Sequence, residues 1–148
     1  MNASPASGIQ PVRPRRPPML IGKLAQLTGR SVHTIRWYEA QRLMPGVRRD
    51  LQGRRLYVHS HVDWLDLLDR LRRTGMTIKQ IREYAALVKL GDATLKERQQ
   101  LMKEHRKRVE ASIRDLQDSL HVIDMKIDFY GTWLSTGVRP PPALRRDR

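Results

Sequence analysis

Residues 21–45 read IGKLAQLTGRSVHTIRWYEAQRLMP, and this stretch decides the expected fold. Apolar residues at helical spacing lead to Gly29, a residue type that commonly ends a helix. Ser31 is suited to cap a second helix, which we expect to run to about Gln41. Two short helices joined by a tight, glycine-containing turn are typical of a helix-turn-helix.

The next segment, VRRDLQGRRLYV at 47–58, has the pattern of a β-hairpin. Its centre, 50–53, is polar and turn-like, whereas Leu56, Tyr57 and Val58 favour a strand. We therefore expect a two-stranded wing directly after the helix-turn-helix.

Two further helices are predicted before residue 91. Ser60, with Asp63 three residues on, has the spacing of a capping box, and Thr77 with Gln80 repeats that spacing. Hydrophobic residues at helical intervals follow each of these starts.

The most regular pattern in the chain lies between Leu95 and Leu134. Two sets of mostly apolar residues each recur every seven positions, four residues out of step, which is the a/d pattern of a coiled coil. At about 1.5 Å per residue the helix is ~60 Å long, and alone it would expose its apolar stripe. We therefore expect a homodimer, whose dimerisation residues include Val109, Ile113, Leu116, Leu120, Ile123 and Ile127.

The chain has a formal net charge of +14 and no cysteine. The absence of cysteine excludes disulfides, thiolate metal sites and thiol redox switches. A positive field concentrates polyanions, of which nucleic acid is the commonest for a basic protein. The charge is uneven, because residues 19–60 carry a net +6 whereas the longer segment 61–136 carries only +2. The excess therefore favours a positive face on the helix-turn-helix and wing.

The composition also limits location and chemistry. No stretch has the apolar length of a membrane span and the N-terminus has no apolar signal-peptide core, so we expect a cytoplasmic protein with no membrane partner. A glycine-rich phosphate loop and a nucleophile–base set are both absent from the sequence. We therefore expect no enzymatic activity and no cofactor.

The predicted fold is mainly α: a winged helix-turn-helix DNA-binding domain followed by a long helix that dimerises as a coiled coil. A disordered basic and proline-rich arm is expected at 1–18, and a disordered basic tail at 136–148. Between them lie the winged domain with its second helical pair at 19–91 and the coiled-coil helix at 92–135.

The second helix of a helix-turn-helix enters the major groove, where each base pair presents a distinct hydrogen-bonding pattern. Arg36 suits a bidentate bond to guanine or a phosphate contact, and His33 suits a base acceptor or a phosphate. Arginines crowd the wing at 48, 49, 54 and 55, where their charges would repel unless a phosphate backbone lay against them. The alternative is that these are solvated surface arginines.

Three segments together resemble the DNA-binding region of the MerR (mercury-resistance-regulator) family of transcription regulators over about residues 20–90. They are IGKLAQLTGRSVHTIRWYEAQRLMP, GRRLYV and HSHVDWLDLLDRLRRTGMTIKQIREY. The resemblance implies winged-helix domains joined as a dimer by an antiparallel coiled coil. It also implies binding to a pseudo-palindrome in promoters with an over-long spacer, where bending and untwisting the double-stranded DNA realigns the two elements read by RNA polymerase.

The same resemblance assigns DNA contacts position by position. It implies that Arg36 and Tyr38 of the second helix, and Arg55 and Tyr57 of the wing, contact DNA. Arg54 lies at a variable wing position and is a phosphate contact on charge alone.

Two positions depart from the family pattern. His33 stands where the family usually has Arg or Lys, and Trp37 replaces the first tyrosine of a Tyr-Tyr pair. The candidate DNA-binding residues are His33, Thr34, Arg36, Trp37, Tyr38, Arg48, Arg54, Arg55 and Tyr57.

The sequence offers two possible kinds of effector-binding site, a metal site and an apolar pocket. Without cysteine a thiolate-based metal sensor is excluded, and the histidines are expected to be solvated or to face DNA, so no metal site is predicted. Phe129, Tyr130 and Trp133 cluster at one end of the long helix. They are candidates for a pocket that takes a small apolar effector, although ordinary aromatic packing is the favoured interpretation.

Two other functions remain open on the sequence. An architectural DNA-bending protein, or an excisionase-like winged helix, would share the winged domain without controlling a promoter. A coiled-coil scaffold with incidental basic charge would bind DNA only without sequence preference.

Overall fold

A computed structural model describes residues 16–142. Residues 1–15 of the first predicted disordered segment and 143–148 of the second lie outside the described residues. The chain divides after Asp92 into two compact units. The first contains four helices and a β-hairpin, and the second contains one long helix.

The helix-turn-helix forms as predicted. Helix α1 spans Ile21–Thr28 and helix α2 spans Val32–Ala40. Gly29 ends α1 in the left-handed conformation, with φ of 65°, which glycine adopts without steric cost. The Ser31 side chain accepts a hydrogen bond from the Thr34 backbone N–H and caps α2. Both predicted helix boundaries in this turn are confirmed.

Helix α2 ends in a turn that carries a conformational cost. Arg42, which follows the helix, has φ of 59°, a left-handed conformation that is uncommon for a residue with a side chain. The backbone N–H groups of Arg42 and Leu43 donate to the carbonyls of Glu39 and Tyr38, both at 2.9 Å, as in a Schellman motif. The turn places Leu43 in the core, where it is fully buried.

The predicted wing is a two-stranded antiparallel hairpin. Strand β1 is Arg48–Arg49 and strand β2 is Arg55–Leu56, with Arg48 opposite Leu56. An isolated antiparallel bridge joins Met19 to Tyr57, so the segment before α1 runs along β2.

Helix α3 spans Ser60–Arg73, but the predicted cap at Ser60 is wrong. His59 holds the N-cap position without a side-chain capping bond, and Ser60 is already helical. His61 organises this start instead, because its Nδ1 accepts from the Val58 N–H at 2.9 Å and its Nε2 lies 3.0 Å from the Pro45 carbonyl. His61 is buried, and so is His105 of the long helix, so the expectation of solvated or DNA-facing histidines is wrong for these two residues.

Helix α4 spans Ile78–Lys89 and begins with the predicted capping box. The Thr77 Oγ1 accepts from the Gln80 N–H at 3.2 Å, and the Gln80 Oε1 accepts from the Thr77 N–H at 3.0 Å. The reciprocal pair satisfies two donors that every helix start leaves without helical partners.

Long polar side chains tie the second helical pair to the helix-turn-helix. Arg82 of α4 donates from Nε and Nη2 to the backbone and side-chain oxygens of Gln41, each at 2.9 Å. Arg30, in the turn before α2, donates to the Leu65 carbonyl at 3.0 Å and pairs with Asp69. Trp64 of α3 donates to the Leu43 carbonyl at 2.7 Å. The end of α2 is thus held from two sides.

The core of the first unit is mainly aliphatic. Its fully buried side chains come from the four helices, from the turn that follows α2 and from the residue that follows β2. They are Leu24, Ile35, Leu43, Tyr57, Leu65, Leu68 and Ile81.

Helix α5 spans Leu95–Thr136, a run of 42 residues, after a short 3-10 helix at Gly91–Thr94. Five of the six predicted dimerisation residues are between 48% and 69% exposed in the single chain: Ile113, Leu116, Leu120, Ile123 and Ile127. Val109 is half-buried. Most of the predicted apolar seam therefore lies open along the helix. Within residues 16–142, no helix is both long and apolar enough to cross a membrane.

Candidate nucleic-acid interface

Helix α2 has one buried side and one exposed side. Ile35 and Tyr38 face the core and are 0% and 3% exposed. His33, Arg36 and Trp37 are exposed. The exposed side offers an imidazole, a guanidinium group and an indole, which suit base edges and phosphates.

Thr34 and Tyr38 differ from the free DNA-contacting side chains expected from the sequence. The Thr34 Oγ1 lies 2.8 Å from the Ser31 Oγ and is half-buried within the helix cap. The Tyr38 ring packs edge-to-face with Trp37 at a centroid distance of 5.5 Å. Because Tyr38 is almost fully buried, its side chain is not free to lie against DNA as the resemblance implies, and its ring packs against Trp37.

Glu39 joins α2 to the wing. Its Oε2 accepts a hydrogen bond from the Arg55 Nε at 2.5 Å, and its Oε1 accepts one from the Tyr57 hydroxyl. The Glu39 side chain is 14% exposed and that of Arg55 is 37% exposed. One carboxylate thus fixes two wing side chains against the recognition helix.

Tyr57 is fully buried, so the expectation that it contacts DNA directly is wrong. Burial raises the pKa of its hydroxyl above the ordinary value, and the hydrogen bond to Glu39 and that carboxylate's charge raise it further. The positive charges of Arg55 and Arg36 act in the opposite direction. The hydroxyl stays protonated at neutral pH and serves as a donor to Glu39.

The wing tip is organised by Asp50. Its Oδ1 accepts from the backbone N–H groups of Gln52, at 3.0 Å, and Arg54, at 2.8 Å. Its Oδ2 accepts from the Arg54 Nε at 2.8 Å. Burial raises the pKa of Asp50, but the hydrogen bonds from Arg54 and its charge outweigh burial, and the net pKa is below the ordinary value.

Two of the four wing arginines, Arg54 and Arg55, are therefore paired with carboxylates without DNA, contrary to the sequence-based expectation. Asp50 offsets the charge of Arg54, and Arg49 donates to the Gly53 carbonyl at 2.6 Å. Arg54 remains exposed and can still reach a phosphate. Arg48 is exposed and has no ion pair within the part of the chain that the structure describes.

Comparison with known proteins identifies this architecture. A model of the MerR HTH family regulatory proteins matches residues 19–88, and a model described as MerR, DNA binding matches residues 62–125. An uncharacterised HTH-type transcriptional regulator of Haemophilus influenzae is 36% identical over 108 residues, which cover 73% of this chain and 80% of that protein. This chain belongs to the MerR family.

Solved structures of MerR-family proteins share the fold. HiNmlR, a MerR family regulator lacking the sensor domain and bound to promoter DNA, is 33% identical with a TM-score of 0.68; the match covers 81% of this chain and 95% of HiNmlR. A MerR family regulator from Listeria monocytogenes is 32% identical with a TM-score of 0.73, over 80% of this chain and 90% of that one. The predictions of a MerR-family transcriptional regulator and of a winged domain followed by a long helix are confirmed.

Sequence reasoning missed Glu39 as a site residue in this MerR-family chain. Its position was a signal, because Glu39 directly follows the candidate DNA-binding residues Arg36, Trp37 and Tyr38. Its partners lie 16 and 18 residues further along the chain, in the wing, and only the folded chain brings them together.

Replacing Glu39 by glutamine is expected to lower the free energy of unfolding by about 2 kcal/mol, because a hydrogen bond to a charged group contributes roughly 1.5–3 kcal/mol. The glutamine side chain keeps one oxygen that can accept a hydrogen bond from either Arg55 or Tyr57. Its NH2 group then faces the other donor, so that hydrogen bond is lost. Urea denaturation of Glu39→Gln, Tyr57→Phe and the double variant measures their coupling energy. Glu83→Gln, an exposed change on α4, is the matched control. Additive effects of the two substitutions would contradict this role.

Two basic side chains lie over the aromatic rings at the C-terminal end of α5. Phe129 packs edge-to-face with Tyr130 and Trp133, at centroid distances of 5.4 and 6.0 Å. The Lys126 Nζ lies 4.8 Å from the Phe129 centroid, and the Arg139 Cζ lies 5.5 Å from the Trp133 centroid. An open concavity of about 520 Å³ lies beside Tyr130 and Trp133.

A metal site has no support in residues 16–142, where no group of three or more histidine or acidic side chains is placed to hold an ion. His59 lies beside Arg16, with a ring nitrogen 3.3 Å from the Arg16 Nη1, and His61 is engaged at the start of α3. The two residues of the H-x-H pair thus have separate partners.

Proposed function

We propose that this MerR-family transcriptional regulator acts as a homodimer on a pseudo-palindromic promoter operator, and bends and untwists the DNA to realign the two promoter elements for RNA polymerase. The observation that carries the proposal is the junction at Glu39. It holds the Arg55 side chain of the wing against the recognition helix that exposes Arg36. Helix α2 and the wing therefore form one preformed basic surface in the absence of DNA.

This preformed surface favours DNA bending. A surface whose elements are already fixed loses little side-chain freedom on binding, so more of its contact energy is available to deform the duplex. Bending a site of this size costs on the order of 1–6 kcal/mol, which phosphate contacts from two domains can offset. DNA binding is also what HiNmlR does in its solved complex.

The dimer is inferred from the open seam of α5. A stripe of aliphatic side chains along a helix of 42 residues is stabilised only when another apolar surface covers it. The seam begins at Leu95 and ends at Leu134, so complete overlap of two antiparallel copies covers all of it. In that register Leu95 lies opposite Leu134 of the partner subunit, and Ile113 lies opposite Leu116 of the partner subunit near the centre.

The aromatic end of α5 acts as packing surface and not as a pocket for a cationic effector. Lys126 and Arg139 already occupy positions over the rings of Phe129 and Trp133, which a bound cation would have to take. A fluorescence titration of Trp133 with apolar cations is therefore expected to be flat.

The proposal is tested with operators selected from a random duplex library and then located in the genome. We expect a dyad-symmetric DNase I footprint between the two promoter elements, and a bend in a circular-permutation assay. Transcription in vitro should depend on the protein at the natural spacer and become independent of it when the spacer is shortened to ordinary length. Binding that is salt-sensitive but without sequence preference, or a bend outside promoters, would contradict the proposal.

A further inference from the structure

An open concavity lies where the start of α3, the end of α4 and the segment that joins α2 to the wing meet. Its volume is about 340 Å³. Its lining includes Pro45, Ser60, His61, Trp64, Val88 and Lys89, all of which belong to the first unit. This volume lies at the small end of the range of ligand sites in proteins, so it suits a ligand of one or two rings.

One wall of the concavity is aromatic and fixed in place. The Trp64 ring stacks on Tyr84 of α4, with a centroid distance of 5.4 Å and an angle of 13° between the ring planes. The indole Nε1 also donates to the Leu43 carbonyl. These two contacts hold the indole plane, and Val88 adds aliphatic surface beside it. A flat, preformed aromatic surface favours an aromatic ring in the ligand.

Two polar groups in the lining are free to bind a ligand. The Lys89 ammonium is exposed and forms no ion pair within residues 16–142, and the Ser60 hydroxyl forms no hydrogen bond in the same part of the chain. His61 offers no free nitrogen, because Nδ1 accepts from the Val58 N–H and Nε2 contacts the Pro45 carbonyl.

The charge of this lining indicates the polar group of the ligand. No acidic side chain lines the concavity within the part of the chain that the structure describes. One ammonium and one hydroxyl together suit a carboxylate, which accepts hydrogen bonds and has a single negative charge. A phosphate group has more acceptor oxygens and more charge than these two groups satisfy.

The wall of the concavity is also in contact with the segment that follows the recognition helix. Trp64 donates to the Leu43 carbonyl at 2.7 Å, and His61 lies 3.0 Å from the Pro45 carbonyl. Leu43 follows the left-handed turn at Arg42 that ends α2. A ligand against Trp64 therefore contacts a side chain that positions the connection between α2 and the wing. Such a ligand shifts the position of these elements if it binds one arrangement more tightly than another.

We propose that this concavity is an effector site that binds a small aromatic carboxylate, with the ring against Trp64 and the carboxylate on Lys89 and Ser60. The effector role deepens the proposed function and rests on it, whereas binding of the ligand itself does not depend on DNA. The site is noncovalent, which suits a chain that has no cysteine thiolate to react with an effector.

Ligand binding is tested with benzoate and the full chain labelled with nitrogen-15. The indole N–H groups of Trp37, Trp64 and Trp133 give separate resonances, which the variants Trp37→Phe and Trp133→Phe assign. We expect saturable shifts at Trp64 alone, with a Kd on the order of 0.1–1 mM for so small a ligand. Benzamide, which has the ring without the charge, and acetate, which has the charge without the ring, should each bind about tenfold more weakly.

Lys89→Gln should weaken benzoate binding by about threefold to tenfold, because it removes the charged partner of the carboxylate at an exposed position. Lys79→Gln is the matched control, since it removes the same charge from an exposed position at the other end of α4. Circular dichroism should be unchanged in both variants. Shifts at Trp133 in place of Trp64, equal affinity for benzamide, or equal effects of the two lysine variants would overturn the site.

The effector role is tested by fluorescence anisotropy with the selected operator. Benzoate at about ten times its Kd should change operator affinity by roughly fivefold or more, relative to acetate at the same concentration, which controls for ionic strength. In Lys89→Gln the midpoint of this change should move to higher benzoate concentration by the same factor as the Kd. Equal operator affinity in benzoate and acetate would overturn the effector role.

The two measurements separate this inference from the proposed function. If the wild-type protein binds no selected operator, the proposed function fails, and the Trp64 resonance still decides whether the concavity binds benzoate. If the protein binds its operator but the Trp64 resonance does not move, the proposed function stands and the effector site is wrong.

Discussion

Arg36→Ala is expected to reduce affinity for the selected operator by roughly 30-fold to 20,000-fold. A bidentate contact to a base edge contributes about 1–3 kcal/mol to discrimination, and a dimer loses two such contacts. Arg36 is exposed and donates no hydrogen bond to another described residue, so its loss should leave the fold intact. Electrophoretic mobility shifts with the operator and with a scrambled duplex measure the change, because the loss should be confined to the operator.

The matched control for this prediction is Arg114→Ala, which removes the same charge from an exposed position of α5. Unchanged operator affinity in Arg36→Ala, or an equal loss in the control, would remove Arg36 from the DNA-reading surface. Arg55 is less suited to the same test. Because it donates to Glu39, Arg55→Ala changes the stability of the wing as well as DNA binding.

The second large effect is expected at the seam of α5. Leu120→Asp combined with Ile123→Asp should weaken the dimer by more than roughly a thousandfold, because four apolar side chains, each contributing about 1.5–3 kcal/mol, leave the interface. Both residues are more than half exposed in the single chain, so the first unit should stay folded. Sedimentation velocity should show a monomer at micromolar concentration, with operator affinity lost in parallel.

His121→Asp combined with Thr132→Asp is the control, since both positions are exposed on α5 and lie outside the heptad seam. The cysteine-free chain also allows the register to be tested directly. In complete overlap Val109 lies opposite Leu120 of the partner subunit, so oxidation of Val109→Cys/Leu120→Cys should give a covalent dimer. Val109→Cys/Ile127→Cys should not. A dimeric Leu120→Asp/Ile123→Asp variant would reject the seam as the interface.

Features that depend on neighbouring residues were predictable from the sequence. The stop at Gly29, the cap at Ser31 and the capping box of Thr77 and Gln80 each involve groups within a few residues of one another. The long helix was also predictable, because a heptad repeat sustained over 40 residues is compatible only with a continuous α-helix. The same patterns, combined with the local excess of positive charge, indicated a DNA-binding regulator.

Local patterns failed where a distant partner decides the outcome. Ser60 has the spacing of a cap, yet His61 organises the start of α3 through the Pro45 carbonyl, 16 residues earlier. The charge of Arg55 suggested a side chain free to meet DNA, but the fold brings the Glu39 carboxylate to it from 16 residues earlier. A spacing rule contains no information on such partners.

The sequence by itself determined the order of helices and wing, the basic character of residues 19–60 and the apolar seam of α5. Only the tertiary structure decided which aromatic and cationic side chains remain free. Tyr38 and Tyr57 each have a hydroxyl group that could contact DNA, but packing buries both side chains. Glu39 had no assigned role until the fold placed it between Arg55 and Tyr57. The physical reason is that burial and ion pairing depend on groups far apart in the chain, whereas capping and periodicity depend on near neighbours.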